Sequence, residues 1–153
     1  MLKINSLTGK TWDEIAVGDT ASVQRVCTPQ DLIVFAHASG NYNPVHLPGE
    51  PEAETGHQPV APAMWGGSLF SWVLGNTLPG PGTLYRSQTL VFHQRVQPGD
   101  RLTARVTVRE KLPCNLVVLD CVLSRDDGAV IADGVAEVSP PRERLTTDGV
   151  KVP

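Results

Sequence analysis

The chain has little cysteine, no excess of basic charge and no long unbroken hydrophobic run. Its three cysteines, Cys27, Cys114 and Cys121, form no CxxC pair and no repeated metal-ligand spacing. An odd number in a chain without a small, secreted look reads as reduced thiols in a cytoplasmic protein. Lys and Arg total 13 against 16 Asp and Glu, a formal charge of −3. A net acidic chain without a Lys/Arg stripe points away from nucleic acid and from a membrane surface as partners. The longest charge-free apolar stretch, residues 60–84, is broken by Pro62, Gly66, Gly67, Gly75, Pro79 and Gly80. Its continuous part falls short of the roughly 20 residues of a membrane span. Residues 1–13 hold no apolar core of a signal peptide. No internal repeat and no low-complexity tract occurs.

What is present describes one ordinary domain. The 153 residues are 41% hydrophobic and 19% charged, enough for a single core without staples. One domain over 1–153 is expected, with residues 140–153 a fraying tail after periodicity is lost at Pro140-Pro141. Glycine (14) and proline (13) promise many turns.

The local signals follow in order. Residues 20–26 alternate as a strand, with Ala21 and Val23 on one side. Thr28 suits a helix N-cap, Pro29 the first helical position, and Asp31 completes a near capping box. Leu32, Phe35 and Ala36 give this helix an apolar side, and Ser39-Gly40 ends it. Residues 40–59 form a long loop with four prolines and two histidines, His46 and His57. Loops of that length inside a compact domain are often functional. Residues 63–78 predict a helix apolar on every side, with Trp65, Phe70, Trp72 and Leu74 as core, wrapped by a sheet. Then the period changes to two: strands over 85–96, 101–109, 116–123 and 130–138, with an Asp127-Gly128 hairpin turn. Val130, Ala132, Ala136 and Val138 share a face of the last strand. The fold class is α+β, one curved antiparallel sheet around one long helix. Its open edges favour pairing with a second copy.

Four histidines are present, without an H-x-x-x-H or H-x-H spacing, so no metal site is expected. His37 reads as a surface residue, His93 as partly buried and hydrogen-bonded, and His57 as a loop residue without a role. Cys121 reads as a small apolar core residue.

The stretch Ser39-Gly40-Asn41-Tyr42-Asn43-Pro44-Val45-His46 closely resembles the hydratase motif S-G-D-x-N-P-x-H of MaoC-like dehydratases and (R)-specific enoyl-CoA hydratases. Met64 to Leu69, Leu78 to Tyr85 and the Pro98-Gly99-Asp100 turn resemble that family too. The resemblance implies a hot-dog fold and water addition to, or removal from, a 2-enoyl thioester. Coenzyme A or acyl carrier protein would carry the acyl group, in fatty acid metabolism, with no metal or redox cofactor. It implies a homodimer or a dimer of dimers. His46 becomes the base, and Asn41, where the motif has Asp, positions the water. The backbone N–H of Ala63 polarises the thioester carbonyl. Asn43 braces the loop and, with Met64, Ser71 and Leu74, belongs to the substrate-binding set. Ser71 and Leu74 match positions lining the acyl chain's tunnel. Arg86, Arg95 and Lys111 are the cations within reach of phosphates. Pro62-Ala63 stands where the motif's H-G pair precedes Met64. An amide takes no proton at neutral pH, so two other readings stay open: a hot-dog thioesterase, and a non-catalytic acyl-CoA-binding module.

Overall fold

The computed structural model describes residues 7–49 and 58–148. Two helices and five strands carry the fold: β1 (Thr20–Val26), α1 (Pro29–Ser39), α2 (Ala63–Asn76), β2 (Leu84–Phe92), β3 (Arg101–Leu112), β4 (Leu116–Arg125) and β5 (Val130–Ser139). The strands form one antiparallel sheet in the order β1-β3-β4-β5-β2. Short turns join β3, β4 and β5 into a meander, and β1 and β2 are left as the two edges.

The turns follow from local chemistry. At α1 the Thr28 hydroxyl accepts from Asp31 N–H, while the Asp31 carboxylate accepts from Thr28 N–H at 2.9 Å, a complete capping box. The helix stops where Gly40 turns left-handed, φ +72°. The β3–β4 turn places Cys114 (φ 64°) and Asn115 (φ 62°) in the same left-handed region.

The core lies between α2 and the concave face of the sheet. Trp65, Leu69, Phe70, Val73 and Leu74 of α2 pack against alternating residues of β3, β4 and β5, among them Leu102, Val106, Leu119, Cys121 and Val138. Among the described residues the buried set holds no polar or charged side chain. Each such aliphatic or aromatic side chain contributes about 1.5–3 kcal/mol on burial.

Five expectations need correction. The strand expected over 85–96 ends at Phe92. The Ile131 carbonyl accepts from both His93 N–H (2.8 Å) and Gln94 N–H (3.3 Å), and the chain turns off the sheet there. A bulge between Leu123 and Ser124 shifts the register of β4 on β5, so Ile131 is buried and Val130 is exposed, off the face it was expected to share. The helix expected to be buried all round has an open stripe of Met64, Ser68, Ser71 and Trp72, because the sheet wraps only the other sides. His93 is exposed rather than partly buried, although it does bond the Asp133 carboxylate at 3.1 Å.

The last correction concerns the tail, which is pinned through Thr147. Asn115 Nδ2 donates to the Pro140 carbonyl at 2.7 Å. Gly9 N–H donates to Leu145 O at 2.9 Å, and Thr147 N–H to Leu7 O at 3.0 Å. Arg144 bonds the Glu14 carboxylate. The lost periodicity signalled an irregular segment, which hydrogen bonds to the N-terminal segment and to Asn115 hold together with the burial of Pro140 and Pro141.

Candidate active site

The loop after α1 is built by its own polar side chains. Ser39 Oγ donates to the Phe35 carbonyl at 2.7 Å and accepts from Asn41 N–H. Asn41 Oδ1 accepts from Asn43 N–H at 3.2 Å, and Asn43 Oδ1 from Val45 N–H at 3.4 Å. Successive Asx turns of this kind suit Asn and bend the chain tightly. They lead into a single 3₁₀ turn, Pro44–His46. Tyr42 and His37 share a hydrogen bond of 3.2 Å, fixing the loop to the end of α1.

That turn delivers His46 to the start of α2. Its Nδ1 lies 2.7 Å from the Val60 carbonyl. A carbonyl only accepts, so Nδ1 carries the hydrogen. In the neutral ring the free lone pair is then on Nε2, the tautomer a general base needs. Val60 N–H returns a bond to Val45 O at 2.9 Å, and Ala61 N–H donates to Val96 O at 2.8 Å. These bonds hold three segments, 44–46, 60–63 and 93–96, around one cavity of about 280 Å³.

His46, Ala63, Gly66, Phe92, Arg95 and Ile131 line that cavity. Ala63 is the first residue of α2, after an N-cap Pro62 that offers no side-chain bond. Among the described residues the N–H groups of Ala63 and Met64 have no acceptor, whereas Trp65 N–H bonds Pro62 O at 2.9 Å. Free N–H groups and the helix dipole thus present partial positive charge beside a half-buried imidazole. A base and an anion acceptor sharing an apolar cavity can move a proton and stabilise an oxyanion.

Not every expected residue joins them. Asn41 is exposed and does not line this cavity, and its Oδ1 is engaged in the turn. Asn43 does brace the loop. Met64 and Ser71 line a second, more open groove of about 490 Å³, with Phe35, Gly67, Tyr85 and Leu90. Leu74 is 1% exposed in the core and lines neither space, so the expected tunnel position is a packing residue here. His57 lies outside the described residues. The sequence reading missed Gly66, Phe92 and Ile131. A glycine in an otherwise apolar helix was the only signal for the first, and the bulge that positions Ile131 leaves none.

The two buried thiols take no part. Burial, together with the Asp31 and Asp100 carboxylates, pushes the Cys27 thiol up to about 12. Burial also raises that of Cys121. Neither supplies a thiolate at neutral pH. Among the described residues no cluster of three or more His, Cys, Asp or Glu is placed to hold a metal ion. Nor is any helix there long and apolar enough to cross a membrane.

The MaoC-like domain family matches this sequence over residues 15–115. The chain belongs to that family. It is 35% identical over 134 residues to the 3-hydroxybutyryl-CoA dehydratase of Methylorubrum extorquens, covering 86% of this chain and 85% of the relative. It is 34% identical over 132 residues to the (R)-specific enoyl-CoA hydratase of Rhodospirillum rubrum, covering 85% and 91%. Among solved structures, the R-hydratase PhaJ1 of Pseudomonas aeruginosa superposes with a TM-score of 0.89 at 35% identity, covering 97% of both chains. The hot-dog fold expected from the sequence is therefore the fold of this MaoC-like chain. Its five-stranded sheet is open and does not close into a barrel.

Proposed function

We propose that this MaoC-like chain hydrates 2-enoyl thioesters to (R)-3-hydroxyacyl thioesters and catalyses the reverse dehydration. One observation carries the reading. The Val60 carbonyl holds His46 as the Nδ1–H tautomer, in a cavity also lined by Ala63, whose N–H has no acceptor among the described residues. The names and identities of the curated relatives support it. In this reading a water attacks C3 as its proton passes to His46 Nε2. The π pair moves toward the thioester oxygen, where Ala63 N–H meets the growing charge. The His46 imidazolium then gives a proton to C2, and the ring is neutral again. No metal or redox step is needed, since the thioester itself acidifies C2. The acyl chain leaves the reacting carbons toward the Met64–Ser71 groove.

Crotonyl-CoA hydration, followed as loss of enoyl absorbance, tests this directly. His46→Gln is expected to lose about 10²–10⁴-fold in kcat, while Asn41→Asp, outside the cavity, should leave kcat unchanged. Full activity in His46→Gln would sink the assignment. A second reading, an acyl-CoA-binding module, draws on the engaged Oδ1 of Asn41. Saturable binding of crotonyl-CoA without turnover would establish it, and release of free coenzyme A would point to a thioesterase instead.

The reading includes a homodimer. The outer edge of β2 has no partner strand in the sheet, and Leu84, Val91 and Phe92 on it, with Met64 and Trp72 on α2, are exposed. Light scattering should return twice the chain mass of 16.4 kDa, or four times it for a dimer of dimers. A cytoplasmic setting fits the three unpaired cysteines.

A further inference from the structure

A substrate on coenzyme A or on an acyl carrier brings phosphate with it. Among the described residues, Arg86, Arg95, Arg105, Lys111 and Arg142 are in no ion pair. Lys10, Arg25, Arg101, Arg109, Arg125 and Arg144 are each paired with a carboxylate, and Arg105 and Arg142, in no ion pair, lie away from the His46 cavity. Lys111 lies over the Trp12 ring, 3.9 Å from its centroid, and is held there by a cation–π contact. Arg86 belongs to the groove beside Met64 and Ser71. Arg95 alone among the cations lines the cavity that holds His46 and Ala63.

Arg95 is also placed, not merely nearby. Its segment leaves the sheet at the Ile131 carbonyl and is tied to the front of α2 through Val96 O and Ala61 N–H, 2.8 Å. Its own carbonyl accepts from Arg125 Nη1 at 3.3 Å, and Arg125 is anchored in turn by Asp100 and Asp127. The backbone is thereby fixed, while Arg95 is exposed and pairs with no carboxylate among the described residues. In a chain of formal charge −3, an exposed arginine that lines an apolar cavity and has no ion pair among the described residues is a receptor for an anion. The planar fork suits phosphate in particular.

We propose that Arg95 is a specificity-determining residue that binds a phosphate of the thioester's carrier arm. This rests on the thioester reading above and adds to it a preference for phosphorylated over truncated thioesters. The shared chemistry is a phosphate ester on the pantetheine arm, from coenzyme A or from the phosphopantetheine of an acyl carrier.

The test compares wild type, Arg95→Gln and Arg95→Lys on three substrates: crotonyl-CoA, crotonyl-phosphopantetheine and crotonyl-N-acetylcysteamine, which has no phosphate. Arg95→Gln should raise KM for crotonyl-CoA about tenfold, the worth of one charge-assisted hydrogen bond, with kcat within about twofold. Arg95→Lys should fall between, and the phosphate-free thioester should not distinguish the three proteins. An equal defect on crotonyl-phosphopantetheine assigns the contact to the phosphate that both carriers share. A defect confined to crotonyl-CoA assigns it to the nucleotide phosphates. A KM for crotonyl-CoA unchanged in Arg95→Gln, or an equal loss on the phosphate-free thioester, overturns the proposal. If the wild type turns over no substrate, the hydratase reading has failed by itself. Equilibrium binding of butyryl-CoA to the same proteins then decides on Arg95, and equal Kd values, or no binding by any of them, overturn it.

Discussion

At the scale of single residues, adjacent glycines of α2 divide the two spaces. Gly66 lines the His46 cavity and Gly67 the open groove. A Cβ on Gly66 would stand 2.9 Å from Leu123 Cδ2, and one on Gly67 3.0 Å from Leu90 Cδ1. Gly66→Ala should therefore lower kcat/KM for all acyl lengths, about tenfold or more, which is what one methyl group costs in a tight pocket. Gly67→Ala should spare crotonyl-CoA and penalise longer enoyl chains. A chain-length series on both variants checks this, and the reverse pattern would place the acyl chain beside His46. The residue scale also shows where the motif misled. Asn41 and Asn43 stand in a catalytic signature, yet their Oδ1 atoms close Asx turns. Asn43 was legible as a brace, because Asn before Pro is turn chemistry. The engagement of Asn41 Oδ1 was not, because the same amide fits a turn and a water.

At the scale of elements, the hairpin turns fix the sheet. Asn115 takes a left-handed conformation and also donates from Nδ2 to Ser139 Oγ (3.1 Å) and Pro140 O (2.7 Å). It joins the β3–β4 turn to the end of β5. Asn115→Ala loses both bonds and the side chain that tolerates this φ, at about 2–3 kcal/mol. Thermal unfolding should fall by roughly 5–10 °C. Asn115→Gly keeps the conformation and should lose less, so equal losses would contradict this division. The α1 capping box and the Asp127-Gly128 turn were readable because each is settled within a few residues of chain. The end of β2 at Phe92 was not, because a carbonyl of β5, at Ile131, decides it.

At the scale of the whole molecule, the two ends of the described chain lie together. Thr8 and Thr146 form an antiparallel bridge, and Arg144 reaches Glu14. The Arg144 hydrogen bond, then Thr11 N–H, hold the Glu14 carboxyl at about 2, below the ordinary 4.5. A carboxyl lowered on folding stabilises the folded form above its unfolded value, and this is lost as pH falls through the folded one. Amide protection at Gly9 and Thr147 should thus drop between about pH 4.5 and 2. In Glu14→Gln it should already be low at neutral pH and lack that step. A protection profile shared by both proteins would show that Glu14 does not hold the junction.

The sequence by itself determined whatever depends on neighbours along the chain. It carried the order of strands and helices, the caps, the period-two meander, the apolar helix for the sheet to enclose, and the loop that presents His46. These rest on backbone preferences and on side-chain spacing, which act over a few residues. Only the tertiary structure decided the rest. It set the tautomer of His46 through a carbonyl 14 residues away, and the burial of Ile131 through a register shift between strands. It separated Ala63 from Met64 and Ser71 into different spaces, and put Arg95, in no ion pair among the described residues, in the cavity of His46. Each of these is a contact between segments distant in sequence, and the chain's local pattern holds no record of which groups will meet.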